Sequence, residues 1–103
     1  MVTVSYTIHE GKINKLHVTG HANHGTAGND IVCAGVSAVV VGGLANLSSE
    51  ENYEILVREG EVSILALKTV DEHDEIVLET IIVQLEKIEE SYKKFIQIKK
   101  EVR

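Results

Sequence analysis

The sequence predicts an α+β domain in which two β-hairpins form a sheet and two helices cover it. Residues 2–19 and 53–69 alternate apolar and polar side chains around short turns that contain glycine. Residues 30–47 are apolar on nearly every side, and residues 74–100 carry apolar side chains at helical spacing. The predicted order of elements is therefore ββαββα.

Each hairpin follows from a run of period-two alternation. In "VTVSYTIH" the residues Val2, Val4, Tyr6 and Ile8 share one face, and "EGK" supplies the turn into "INKLHVTG". The second hairpin joins "YEILVRE" to "EVSILALKT" through Gly60. Both faces of its last strand carry apolar residues, so the pattern does not decide which face is buried.

The first helix is predicted from about residue 30 to residue 47. Because its apolar side chains are small and lie all round the helix, we expect it to be buried on every side. Gly42 and Gly43 lower its helix propensity, and we expect them to permit the close approach of a neighbouring element.

The last helix is predicted over residues 74–100. Its acidic residues lie near the start and its lysines near the end, which suits the helix dipole and indicates a solvated outer face. The inner face is a stripe of apolar residues: Leu78, Ile81, Ile82, Leu85, Ile88, Tyr92 and Phe95.

Composition limits the classes of function. The chain has 103 residues, no proline and no linker-like tract, so we expect a single domain over residues 1–103. The net charge of -6 argues against direct binding of nucleic acid, and no apolar run approaches the length of a membrane span. The amino terminus does not resemble a signal peptide, and one cysteine forms no internal disulfide; we therefore expect a cytoplasmic protein.

The only cysteine lies at the start of the first predicted helix. Asp30 is a good N-cap residue directly before the apolar run, which puts Cys33 in the first turn. Free N–H groups and the positive end of the helix dipole stabilise a thiolate there, although the carboxylate of Asp30 opposes that charge.

A histidine lies within reach of this cysteine. His21 follows a predicted strand, and a loop containing Gly25 and Gly28 lets the chain fold back and bring the imidazole to the sulfur. Such a pair supports nucleophilic catalysis, with His21 as the general base and N–H groups at the helix start as oxyanion donors. Ser37 lies one turn after Cys33 on the same face, where it can hydrogen-bond His21, the sulfur or the substrate.

The same residues have other readings. A lone cysteine beside valine and alanine is usually a small core residue, Asp30 caps the helix in any case, and Ser37 can serve packing alone. A metal site of His21, His24, Asp30 and Cys33 lacks the spacing of a zinc finger or ribbon, and the loop lacks the lysine of a phosphate-binding loop. We expect no metal and no cofactor.

The stretch "GHANHGTAGNDIVCAGVSAV" resembles the signature of the Prp family, the bacterial ribosomal-processing cysteine proteases. The shared pattern is Gly-His-Ala after a strand, a glycine-containing loop, and Asp-Ile-Val-Cys-Ala opening a helix with a serine one turn on. The length and the order of elements are also similar.

The resemblance implies a protease that removes an N-terminal extension from the large-subunit ribosomal protein numbered twenty-seven, and a homodimer. It places the nucleophile on Cys33 and the general base on His21. Gly20, Asp30 and Ser37 fall on further motif positions, with roles in orientation, oxyanion binding or packing. The substrate is expected across the mouth formed by residues 20–30, which includes Ala22, Asn23, His24, Gly25 and Gly28.

A second class of function remains open at this point. The domain can instead be a non-catalytic, ribosome-associated binding module in which Cys33 is a buried structural residue. An activated thiol alkylates quickly at neutral pH, whereas a core thiol is inert until the protein unfolds.

Overall fold

The fold is known from a computed structural model that describes residues 1–22 and 30–103. Its strands are β1 (Val2–His9), β2 (Lys12–Thr19), β3 (Tyr53–Arg58), β4 (Glu61–Ala66) and β5 (Ile96–Val102). Its α-helices are α1 (Ile31–Leu44) and α2 (Glu72–Ser91), and a 3₁₀ turn at Glu50–Asn52 precedes β3. The predicted α+β class and both hairpins are confirmed.

The five strands form one sheet in the order β3-β4-β2-β1-β5. All neighbours are antiparallel except β1 and β5, which run parallel. The register sets Val4 beside Val18 and Leu16 beside Ile64, so these side chains share the face that packs against the helices. The buried face of the second hairpin is therefore that of Ile64, which is 3% exposed.

The end of the last helix was predicted wrongly. The helix α2 ends at Ser91, and residues 96–102 form a strand that pairs with β1. Ile96 and Ile98 alternate with polar residues, which is a strand pattern. The sequence prediction extended the helix over it because Tyr92 and Phe95 continue the helical spacing. Pairing with β1 satisfies the backbone and buries Ile96 to 1% exposure, which outweighs continuation of the helix.

The first helix is not buried on every side as predicted. Val32, Val36, Val40 and Leu44 form its buried face, because the sheet and α2 cover one side only. Gly43 does permit close approach, since a Cβ atom there would lie 2.5 Å from Cγ1 of Ile81 in α2. Gly42 does not, because no atom of the described residues lies within 4 Å of its Cβ position. Within the described residues, neither helix combines the length and the apolarity needed to cross a membrane.

A buried carboxylate joins α2 to the segment that leads from α1 into β3. Asp74, in the first turn of α2, is 1% exposed. Its Oδ1 accepts hydrogen bonds from the N–H of Ser48 at 2.9 Å and from the Ser48 hydroxyl at 3.0 Å, and lies 2.8 Å from Nδ1 of His73. Its Oδ2 accepts from the Tyr53 hydroxyl at 2.5 Å. One side chain thus ties three segments together.

This network sets the ionisation of both partners. Burial alone raises the pKa of the Asp74 carboxyl, but the hydrogen bonds from Tyr53, His73 and Ser48 outweigh burial and lower that pKa to about 2. Burial and the bond to Asp74 raise the pKa of the Tyr53 hydroxyl. Since the carboxylate is bound more tightly in the folded than in the unfolded state, it stabilises the fold while it is ionised.

We expect Asp74→Asn to lower the free energy of unfolding at neutral pH by about 2 kcal/mol. This is the free energy that corresponds to lowering the pKa of the carboxyl from 3.8 to about 2 on folding. Because the folded-state pKa is depressed, this contribution is complete above about pH 4 and is lost as the pH falls through about 2. Urea unfolding of both proteins between pH 7 and pH 3 measures it. A difference between the two proteins that stays constant over this range would contradict the assignment.

Candidate active site

The end of strand β2 is held by Gly20. Its φ of +91° lies in the left-handed region, and its N–H donates a hydrogen bond to the Gly60 carbonyl oxygen at 3.0 Å. A Cβ atom at this position would overlap the carbonyl oxygen of Met1. Both the conformation and the contact therefore require glycine, and the chain turns here to present His21.

Asp30 caps α1 as predicted. Its Oδ1 accepts hydrogen bonds from the N–H groups of Val32 at 2.9 Å and Cys33 at 3.0 Å, and its carbonyl oxygen accepts from the Ala34 N–H. The cap places Cys33 in the first turn of α1, at the positive end of the helix dipole. In the absence of substrate, the Val32 and Cys33 N–H groups at the helix start are thus bonded to Asp30.

The sulfur of Cys33 is held against the end of β2. The N–H of Ala22 donates a hydrogen bond to Sγ at 3.3 Å, and an N–H donor at this position stabilises negative charge on sulfur. Cys33 is half-buried and packs against the hydrophobic core. Ala22 itself is 3% exposed, so its side chain packs in the core and its main chain makes the contact.

His21, Cys33 and Ser37 line one cavity of about 280 Å³ between α1 and the β3–β4 hairpin. His21 and Ser37 are exposed, and within the described residues Ser37 makes no hydrogen bond that holds its hydroxyl. The remaining wall is largely valine, from both layers of the fold: Val2, Val18, Val36, Val40, Val41, Val57 and Val62. The site is thus an exposed imidazole and a half-exposed thiol at the mouth of an apolar cavity.

Part of the predicted site lies outside the described residues. Asn23, His24, Gly25 and Gly28 belong to the stretch 23–29 and are not placed by the structure. Among the residues that it does describe, the acidic and histidine side chains close enough to share an ion are Asp71, His73 and Asp74. None of these lines the cavity, and hydrogen bonding within the α2 cap accounts for their proximity.

The sequence predicts the turn between β3 and β4 but not its place in the site. Residues Arg58–Gly60 line the cavity opposite α1, and Gly60 lies against the imidazole of His21. Only the glycine in the turn marks this region in the sequence, and a turn glycine predicts a backbone conformation rather than a contact.

A family model described as "Cysteine protease Prp" matches residues 1–97 of the chain. The chain belongs to the Prp family of cysteine proteases. The ribosomal processing cysteine protease Prp of Staphylococcus aureus is 37% identical, over 95% of this chain and 97% of the relative. Its Bacillus subtilis counterpart is 34% identical, over 82% of this chain and 83% of the relative.

Solved structures of the S. aureus protease share the fold. One, in complex with a covalently linked product peptide, superposes with a TM-score of 0.88 at 33% identity, covering 98% of this chain and 100% of that one. Another, in complex with a substrate peptide, gives a TM-score of 0.82 at 32% identity over the same coverage. The resemblance drawn from the Gly-His-Ala and Asp-Ile-Val-Cys segments is therefore confirmed.

We expect Asp30→Ala to lower the free energy of unfolding by about 1 kcal/mol, since it removes the oxygen that caps the Val32 and Cys33 N–H groups. Asp30→Asn keeps an Oδ1 acceptor and is the matched control, expected to stay within a few tenths of a kcal/mol of wild type. Urea unfolding measures both. If the asparagine variant loses as much stability as the alanine variant, the negative charge and not the capping oxygen supports the helix start.

Proposed function

We propose that the chain removes the N-terminal extension of the large-subunit ribosomal protein numbered twenty-seven by acyl transfer through Cys33 and His21. The observation that carries the proposal is that both side chains line one cavity, with the sulfur fixed to the His21 segment by the Ala22 N–H. The names of the relatives describe ribosomal processing, and in one solved relative a product peptide is covalently linked.

The reaction proceeds in two halves. His21 takes the Cys33 thiol proton as Sγ attacks the scissile carbonyl carbon, and the intermediate collapses when the amine leaves with a proton from His21. The N-terminal fragment remains on Sγ as a thioester. A water molecule, deprotonated by His21, attacks that carbonyl and releases the fragment as a carboxylic acid. His21 then returns the proton to Sγ, which restores the thiol.

The oxyanion of the intermediate needs N–H donors aimed at the reacting carbon. Asp30 already binds two N–H groups of the helix start, and the Ala22 N–H is the described main-chain donor that points at the sulfur. We assign this N–H to the oxyanion, because the substrate's carbonyl oxygen is bonded to the carbon that Sγ attacks and so comes next to the sulfur that the N–H now contacts. Asp30 keeps its role as the cap that positions Cys33.

The substrate preference follows from the cavity and from charge. A cavity of about 280 Å³ walled mainly by valines favours an apolar side chain next to the cut. The net charge of -6 speeds encounter with a basic ribosomal protein, which this enzyme would meet in the cytoplasm.

We also propose a homodimer. Apolar side chains outside the cavity remain exposed on the edge strand β3, where Ile55 is 37% and Leu56 is 41% exposed. A second protomer is the occupant that we infer for this surface, since exposed apolar clusters mark sites of association. Sedimentation should give twice the mass of the chain, and a monomer at micromolar concentration would contradict the dimer.

Intact-mass analysis of the extended ribosomal protein tests the proposed reaction. Incubated with the wild-type chain, it should lose a single N-terminal fragment. Cys33→Ala should abolish the loss, and His21→Ala should slow it by on the order of 10²-fold or more, the usual contribution of a general base. Ser91→Ala, at the end of α2 and outside the cavity, is the control and should cleave at the wild-type rate.

The folded state of each variant is checked by thermal unfolding. Cleavage by a folded Cys33→Ala variant at the wild-type rate would remove the nucleophile from Cys33. A substrate that stays intact with folded wild-type enzyme would show that the ribosomal protein is not the target.

A further inference from the structure

The β3–β4 turn lies directly against the imidazole of His21. A Cβ atom built on Gly60 would lie 3.1 Å from Nε2, 3.6 Å from Cε1 and 3.9 Å from Cδ2 of that ring. The Gly60 carbonyl oxygen also accepts the Gly20 N–H at 3.0 Å. One residue of the turn thus contacts the ring and fixes the backbone just before it.

The turn is itself held in place. Arg58 pairs with Glu61 across it, and the Glu61 carboxylate lies 2.7 Å from Nε2 of His17 on the neighbouring strand. The hydrogen bonds of His17 and Arg58 lower the pKa of the Glu61 carboxyl. Glu61 also pairs with Arg58 in the β3–β4 register and with Thr19 in the β2–β4 register. The turn therefore forms a fixed wall beside an otherwise exposed ring.

The other hairpin provides a comparison inside the same molecule. Gly11 follows Glu10 between β1 and β2, as Gly60 follows Glu59 between β3 and β4. The two glycines have nearly equal φ values, +79° and +76°. Among the residues that the structure describes, none lies within 4 Å of a Cβ atom built on Gly11, whereas a Cβ atom on Gly60 meets the His21 ring. The backbone requirement is shared, and the contact with the imidazole is not.

We propose that Gly60 is a positioning residue for the general base. Its lack of a side chain leaves the space that the His21 ring occupies, and its carbonyl oxygen holds Gly20, the residue before His21. The inference rests on the proposed Cys33–His21 pair. A side chain at residue 60 pushes the ring by a few tenths of an ångström, which is enough to impair transfer of the thiol proton.

The test is the rate at which iodoacetamide alkylates Cys33, followed by intact mass between pH 5 and pH 9. This probe needs no protein substrate. Gly60→Ala should lower the rate at neutral pH by about tenfold. It should also move the pH of half-maximal rate toward that of His21→Ala. Gly11→Ala carries the same backbone strain, so it should lower the melting temperature to a similar extent and leave the alkylation curve unchanged.

Three results would overturn the inference. If Cys33 is alkylated at the wild-type rate in both Gly60→Ala and Gly11→Ala but slowly in His21→Ala, the Cys33–His21 pair is supported and Gly60 does not position His21. If both glycine variants are equally slow, the effect is backbone strain. If His21→Ala alkylates as fast as wild type, the proposed pair fails as well. Should Gly60→Ala not fold, Gly60→Asn with Gly11→Asn replaces the comparison, because asparagine tolerates a positive φ and still carries a Cβ atom.

Discussion

A hydrogen bond from the Ala22 N–H to the Cys33 sulfur joins the two halves of the site. One half is the end of a central strand, and the other is the first turn of a helix. Each half would be an ordinary structural feature alone. Joined, they set a half-exposed thiol and an exposed imidazole at the mouth of one cavity.

The rest of the fold holds these two ends at the required separation. On the strand side, Gly20 turns the chain close to the Met1 carbonyl, and the Gly20 N–H donates a hydrogen bond to the β3–β4 turn. On the helix side, Asp30 caps α1, and Gly43 lets α1 approach Ile81 of α2. At the far end of α1, the buried Asp74 network anchors the segment that leads into β3, so the hairpin that backs His21 is tied to the same core.

Local patterns were sufficient to predict the hairpins, the helix cap and the cysteine in the first helical turn. The alternation of apolar and polar residues in the strands and the capping aspartate both depend only on near neighbours in the chain, and the structure confirms both predictions. The strand β5 was missed because Tyr92 and Phe95 also suit a helix, and only the available edge of β1 decides between the two. The contact of Gly60 with His21 could not be predicted, since the two residues are far apart in sequence and meet only through strand pairing.

Partial burial distinguishes Cys33 from a fully buried core thiol. The helix α1 is apolar all round, which predicted complete burial, yet the sheet and α2 cover only the face of Val32, Val36 and Val40. Cys33 lies at the border of that face, next to the cavity. Cys33 at the start of α1 is thus partly accessible, which agrees with membership of a cysteine protease family.

Amide exchange of Ala22, followed by NMR, tests the central contact most directly. We expect the Ala22 N–H to be protected from exchange in the wild-type chain and to lose that protection in Cys33→Ala. The Gly20 N–H, bonded to the Gly60 carbonyl oxygen, should stay protected in both proteins. An Ala22 amide that exchanges freely in wild type, or equally slowly in both proteins, would contradict a site joined through the sulfur.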